Sequence, residues 1–448
     1  MVLKTSKFLF AKPTLLNKLL VLTLMFVTTA SSIILPYTFL VEDGNFMSTF
    51  TLLFQSSDSE CSLFFTLISN LDTILPTIEW VDIKIITILS ITELLLMKLV
   101  PGQAYSGVED ITGHIPKYKD NGLLAFIISI LLFCLSAYLG LFPLSILHAR
   151  FRSLILLMNL VAYVSVGLLY FKARFKPSLG DHGTSGHFIT DFYYGTELYP
   201  RVCGVDVKMF VNCRFGMMGW GILIISFLAG QYQRFNHVSD GMCVSVALQL
   251  IYITKFYYWE SGYMNTIDIV HDYAGYYTQW GCLVFISILY TSGAQYLSTN
   301  FIHLGWPLSI TIFCLGIIAI SINYDCDRQR KTFRAKKGEE KIWGKEAQFI
   351  RAKYMTSKGE ERESLLLHSG YWGISRHFHY IPEVLAAICW HISALNSGVS
   401  AYSYVLFLIP LLTHRAFRDD SKCKEKYGKY WDEYCKKVPN KIIPQLIR

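Results

Sequence analysis

Two short stretches toward the C-terminal end set Arg, His, Asp and Tyr hard against apolar sequence. They are Gly370–Glu383 (GYWGISRHFHYIPE) and Leu411–Cys435 (LLTHRAFRDDSKCKEKYGKYWDEYC), with about thirty mostly apolar residues between them. Charges next to a lipid-embedded helix are costly, so they usually face a cavity, a ligand or each other. The intervening stretch is just long enough for a tight helical hairpin, which would bring both clusters to one membrane face. Such a gathering of cations and hydroxyls suits an anionic ligand at the mouth of a membrane-embedded pocket.

Three other stretches carry chemistry-bearing side chains. In CDRQRKTFRAKKG (Cys326–Gly338), Arg330, Lys331 and Arg334 fall on adjacent turns of a helix leaving the membrane. Arg suits bidentate phosphate contact, although a solvated topogenic run is the commoner meaning of such a sequence. No GxGxxG or GxxxxGK[ST] occurs, so neither a Rossmann nor a P-loop site is claimed. In Thr254–Phe285, Glu260, Asp268 and the His271-Asp272 pair lie between two apolar runs. Acids at that depth are functional candidates, and His271-Asp272 reads equally as a proton relay or a buried polar couple. In GHFITDFYYGTELYPRV (Gly186–Val202), the simplest reading is an ordered interfacial loop with Glu197 paired to Arg201, four residues on.

These groups must be positioned by helices in lipid. The 448 residues are 52% hydrophobic and 17% charged, more apolar than a soluble domain, and outer-membrane alternation is absent. The fold class is all-α and polytopic, with a cytoplasm-facing cofactor pocket in the C-terminal half. Apolar windows near the span length lie at Leu15–Leu40, Ile83–Leu99, Leu123–Phe142, Ser153–Phe171, Gly216–Gly230, Val238–Trp259, Tyr276–Leu297 and Leu304–Tyr324. Glu383–Thr413, broken at Asn396-Ser-Gly, supplies two more, for about ten transmembrane helices. The first window, preceded by Lys4, Lys7 and Lys12, is longer than a signal-peptide core and reads as an uncleaved span.

Tyr324–Tyr380 carries thirteen Lys/Arg against eight Asp/Glu, and His414–Arg448 ten against five, so both segments are expected in the cytoplasm. The loop Val41–Asp82, with Glu42, Asp43, Asp58, Glu60, Asp72, Glu79 and Asp82, is expected to face outward. One integral membrane domain is expected, with N-terminal spans over 1–180, further spans and polar loops over 181–325 and a basic C-terminal part over 326–448. The basic residues lack a separate soluble domain, which argues against nucleic acid. The eleven cysteines are scattered singly, with no CxxC pair or zinc-spaced cluster, so no metal is expected.

DFYYGTELYPR (Asp191–Arg201) closely resembles a sterol reductase signature in which an Asp-aromatic pair precedes Gly-x-Glu-Leu-Asn-Pro-Arg. HRAFRDDSKCKEKYGKYW (His414–Trp431) resembles the second signature, His-Arg-x-x-Arg-Asp followed by Cys-x-x-Lys-Tyr-Gly and Trp. The resemblance runs from about the third span to the C-terminus. The Thr254–Phe285 block, Ile342-Trp-Gly, RHFHYIPE and the closing VPNKIIPQLI are most similar to the Δ7-sterol (7-dehydrocholesterol) reductase branch, plant type. Tyr199 departs from the signature's Asn, Arg330 from its Lys, and His379 from a common Asn.

The resemblance implies reduction of the C7–C8 double bond of Δ5,7 sterols by alkene protonation and hydride transfer from NADPH. Its implied cofactor residues are Arg330, Arg334, Trp372, Arg376, His377, Tyr380, Arg415, Arg418, Cys423, Tyr427 and Trp431. Asp419 is the favoured proton source, with Glu260, Asp268, His271 and Asp272 as alternatives on the sterol side. The implied partners are a sterol and the lipid bilayer. The implied location is the endoplasmic reticulum membrane in a eukaryote or the inner membrane in a bacterium. Alternatives are sterol C-14 or C-24(28) reduction, an isoprenylcysteine-type membrane methyltransferase, and a non-catalytic sterol-binding protein.

Overall fold

The computed structural model describes residues 14–54, 70, 72–355, 359–395 and 398–445. Lys4, Lys7 and Lys12, the loop acids Asp58 and Glu60, Asn396 and Ser397 of the expected break, and Leu446-Ile447 of the closing motif lie outside them. The helices follow the apolar windows. They are α1 (Leu15–Leu40), α2 (Trp80–Leu99), α3 (Gly122–Tyr138), α4 (Phe151–Phe175), α5 (Val207–Phe235), α6 (Asp240–Tyr258) and the bent α7 (Tyr276–Tyr290 with Ser292–Thr299). Then come α8 (Trp306–Ala335), α9 (Tyr380–Ile392), α10 (Ser403–Tyr427) and the amphipathic α11 (Lys429–Lys437).

Among the described residues, α1, α4, α5 and α8 are long and apolar enough to cross a membrane, and the bent α7 makes up to five. α3 and α9 are apolar but shorter. The chain is mostly helical rather than all-α, because four two-stranded antiparallel sheets interrupt it. The longest hairpin pairs Phe349–Met355 with Glu361–Leu367. Its exposed positions carry the cross-strand pairs Arg351–Glu363 and Lys353–Glu361, at 2.9 and 2.8 Å. Such a pattern suits a hydrated segment, where an open sheet edge can meet water.

The chain divides into two compact units. One holds residues 304–395 and 402–445, the other 14–303 and 398–401. In the larger unit α5 is the buried axis and begins with a π-helical stretch, Phe210–Gly216. A second π-helix, Gly281–Tyr290, packs against it, and Asn212 Nδ2 reaches Cys282 Sγ at 3.2 Å. At Gly216 a Cβ would fall 2.5 Å from the Cys282 carbonyl oxygen, so a glycine permits this approach. π-helical turns inside α-helices are frequent at functional sites. In the smaller unit α8 packs along α9, and α10 and α11 carry the hairpin.

Candidate functional site

Within the smaller unit, the C-terminal clusters converge. Arg376 is 6% exposed, and its Nη1 donates to the carbonyls of Val438 (2.6 Å) and Pro439 (3.1 Å). Its Nε lies 3.2 Å from Asp420 Oδ1. Asp420 also meets Lys441 Nζ at 3.3 Å and accepts from Trp431 Nε1 at 3.3 Å. The backbone joins the same fastening, because Arg376 N donates to Asn440 O and His377 N to Lys441 O. The segment Val438–Lys441 thus straps the Arg-His pair from behind, and the Arg376 guanidinium is held through Nη1 and its ion pair with Asp420.

The next residues open outward. The buried His377 ring stacks on Tyr380 at 5.3 Å and 10°. Its Nε2 has no hydrogen-bond partner, and the nearest carboxylate oxygen, Asp419 Oδ2, is 3.8 Å away. Burial, reinforced by the neighbouring His379, pushes the His377 pKa down to about 3, so the ring is neutral near pH 7. Asp419 is only partly buried, and Cys423 Sγ is 4.0 Å from the same oxygen.

Arg330 stacks over Trp372, guanidinium carbon to ring centre 4.1 Å, and makes a loose 3.8 Å ion contact with Asp327. Trp372 is buried with Phe333, Ile342 and Leu367, and its Nε1 donates to the Cys326 carbonyl at 2.9 Å. Trp431 lies in a second core with Ile350, Leu366 and Tyr434, and Tyr427 packs at its edge. Arg334 is exposed one turn beyond Arg330, and Arg415 and Arg418 are half-buried on α10. The site is therefore a basic, aromatic cluster on α8, α9 and α10, in which a buried imidazole nitrogen lies 3.8 Å from a partly exposed carboxylate.

The other expected acids belong to the larger unit. Three loops, 101–121, 176–206 and 259–275, gather at one end of its helices. Asp181 N donates to Asp110 Oδ2 (2.8 Å), the Tyr273 phenol donates to Asp181, and Ala274 N donates to Glu197 O (3.0 Å). Gly195 has φ +91°, and a Cβ there would fall 2.5 Å from Gly275 N, so backbone meets backbone where the two loops touch. Asp191 accepts from Ser185 N and Oγ, both at 2.7 Å, and from Thr184, closing its own loop.

Glu197 does not pair with Arg201. Its carboxylate takes Lys172 Nζ at 2.8 and 2.9 Å, while Arg201 donates to the Lys117 carbonyl. The expected pair assumed a helix, but Arg201 starts a short strand, so the four-residue spacing no longer shares a face. Glu260 is fully buried, held by both terminal nitrogens of Arg214 and by Gly122 N at 2.8 Å. Asp268 is half-buried, His271 exposed and Asp272 buried. Lys208 Nζ donates to the carbonyls of Ile269 (2.8 Å) and Asp272 (2.5 Å), tying this turn to the start of α5. Lys208, Arg214 and Asp110 were not singled out from sequence. The usable signal was two cations just ahead of the Gly216–Gly230 apolar run.

A mostly helical chain with several helices apolar enough to cross a membrane, and a basic, aromatic cluster beside a carboxylate, defines a membrane-type helical protein. Residues 19–447 match the ergosterol biosynthesis ERG4/ERG24 family, and the chain belongs to that family. It is 42% identical over 415 residues to the 7-dehydrocholesterol reductase of Arabidopsis thaliana, covering 92% of this chain and 94% of that one. Identity to the Xenopus laevis 7-dehydrocholesterol reductase is 32%, over 82% and 79% of the two chains. The Delta(14)-sterol reductase of Methylotuvimicrobium alcaliphilum is 31% identical, over 77% and 78%.

Proposed function

We propose that the protein reduces the C7–C8 double bond of Δ5,7 sterols, with NADPH as the hydride source. The observation that carries the cofactor assignment is the unpartnered cluster around His377. Its buried Nε2 lacks a hydrogen-bond partner, and Arg330 is held face-on to Trp372 with only a loose counter-ion. A bound anion with acceptor oxygens would satisfy both. Arg330, Arg334, Arg415 and Arg418 would neutralise the dinucleotide phosphates, and His377 and Tyr380 would supply a flat face and a donor. Arg376, Trp372 and Trp431 act one layer back, as supports for these groups. NADPH, when bound, supplies a hydride.

The protein's own task is the proton. Protonation of the diene at C8 leaves the positive charge on C7, in conjugation with C5=C6, and that allylic cation accepts hydride at C7. Asp419 is the group we assign as donor, because its carboxyl lies 3.8 Å from the unpartnered His377 Nε2 and is held by no Arg among the described residues. Glu260, gripped by Arg214 and a backbone N–H, is a structural anion. Asp268 and Asp272 help shape the sterol-side turn. All ten helices α1–α10 are assigned as membrane crossings, with the three gathered loops and the basic segments in the cytoplasm. The membrane is that of the endoplasmic reticulum in a eukaryote.

Asp419→Asn should leave NADPH affinity within about threefold while lowering turnover by about 10²- to 10⁴-fold, the usual range for a lost general acid. Arg330→Ala should weaken NADPH binding instead. Normal turnover in Asp419→Asn would sink the proton assignment.

A further inference from the structure

In the larger unit, several buried polar atoms with no hydrogen-bond partner fall in one neighbourhood. They are the phenol oxygens of Tyr118 and Tyr199 and Oδ2 of Asp206, joined at the edge by Arg201 Nε. Tyr118, Tyr199 and Asp206 are 9%, 2% and 4% exposed. Their proximity is fixed by the chain. Arg201 and Asp206 are cross-strand partners, and Arg201 donates to the carbonyl of Lys117, next to Tyr118. Asp206 Oδ1 caps the start of α5 at Met209 N (3.0 Å), and Lys208 on that first turn places Nζ 5.7 Å from the Tyr199 ring centre. Tyr118 and Tyr199 also share one apolar cluster with Leu198, Met209, Met264 and Ile269.

Leaving one such atom unsatisfied in a dry interior costs roughly 1–3 kcal/mol, so a local group of them calls for an occupant. Lys208 is committed elsewhere, since it bonds two backbone carbonyls. The unmatched set is one carboxylate acceptor and two phenols, with the Arg201 Nε donor at its edge. A hydroxyl group complements it, giving its hydrogen to Asp206 and receiving from Tyr118 and Tyr199. The surrounding Leu, Met and Ile side chains suit an apolar molecule carrying a single polar group.

We propose that Tyr118, Tyr199 and Asp206 form an anchor for a ligand hydroxyl, which in a sterol substrate is the 3-hydroxyl. The anchor makes the protein selective for free sterols over their ethers and esters. It gives Tyr199, which departs from the Asn of the family signature, a role in holding substrate. This assignment rests on the sterol reading above.

The test uses the full-length protein in lipid nanodiscs, with a 3β-hydroxy-5,7-diene sterol and its 3-methyl ether as probes. Tyr199→Phe and Tyr118→Phe keep shape and remove one donor each. Each should raise KM for the free sterol roughly tenfold, with kcat within about twofold, and leave the ether unchanged. Parent protein should prefer the free sterol, and Tyr199→Phe should lose most of that preference. An equal effect on both sterols, as a bound water or a purely structural cluster would give, overturns the proposal. So does a parent protein indifferent to the ether. If neither diene is reduced, the proposed reaction fails by itself. Binding of radiolabelled free sterol against its ether, to parent and Tyr199→Phe, then decides the anchor independently of turnover.

Discussion

Asp419 and Asp420 are adjacent carboxylates with opposite assignments, and substitution separates them. Asp420 contacts Arg376, Lys441 and Trp431, whereas among the described residues Asp419 makes a 3.8 Å approach to His377 and a 4.0 Å approach to Cys423. Removing one partner of a fully buried ion pair costs about 3–5 kcal/mol. Asp420 is 23% exposed, and Arg376 keeps two carbonyl acceptors, which places Asp420→Ala lower, at about 2–3 kcal/mol. Asp420→Asn preserves an acceptor and loses only charge, for about 1–2 kcal/mol. Asp419→Asn should fall within about 0.5 kcal/mol of the parent, as surface changes do. The assay is denaturant unfolding in micelles without cofactor, followed by tryptophan fluorescence, since Trp431 and Trp372 sit in the cores fastened by this lock. An unaffected Asp420→Ala alongside an early-melting Asp419→Asn would refute the division.

Two further outcomes follow from the same geometry. Arg214→Leu strands the buried Glu260 carboxylate and should cost about 3–5 kcal/mol, whereas Arg214→Leu with Glu260→Leu should recover a large part of it; thermal melting of both variants checks this. His377 is held neutral, with its folded pKa below the unfolded value, so the unfolded chain binds the extra proton as pH falls. Stability should therefore drop through the window from about pH 6.5 toward 3, by about 2 kcal/mol at pH 5. A His377→Asn variant that keeps the same acid slope would contradict this.

Legibility in the sequence followed the range of the interaction. Apolar windows and the two signatures are local, and helices α1–α10 overlap the windows read from hydropathy, with α10 running on past Thr413 and four or five of the described helices long and apolar enough to cross a membrane. The convergence of Arg376-His377 with Asp419-Asp420 was likewise visible, because a short apolar hairpin leaves few alternatives. What escaped depends on partners far apart in the chain. Arg214 finds Glu260 46 residues away, and Lys172 rather than Arg201 finds Glu197. The strap Val438–Lys441 occupies Arg376, which spacing alone had offered to a ligand. Composition could not show that Asp419 and Asp420 differ, since the difference lies in which side of α10 each faces. The π-helical breaks at Phe210 and Gly281 were also hidden, because hydropathy is blind to a change of helical pitch.

The most direct test of the whole account is sterol profiling in a yeast strain that accumulates Δ5,7 sterols and expresses this protein. The account predicts loss of the conjugated diene and accumulation of the matching Δ5 sterol, with the side chain and C-14 unchanged. Persistence of the diene, with an altered Δ14 or side-chain profile, would contradict it.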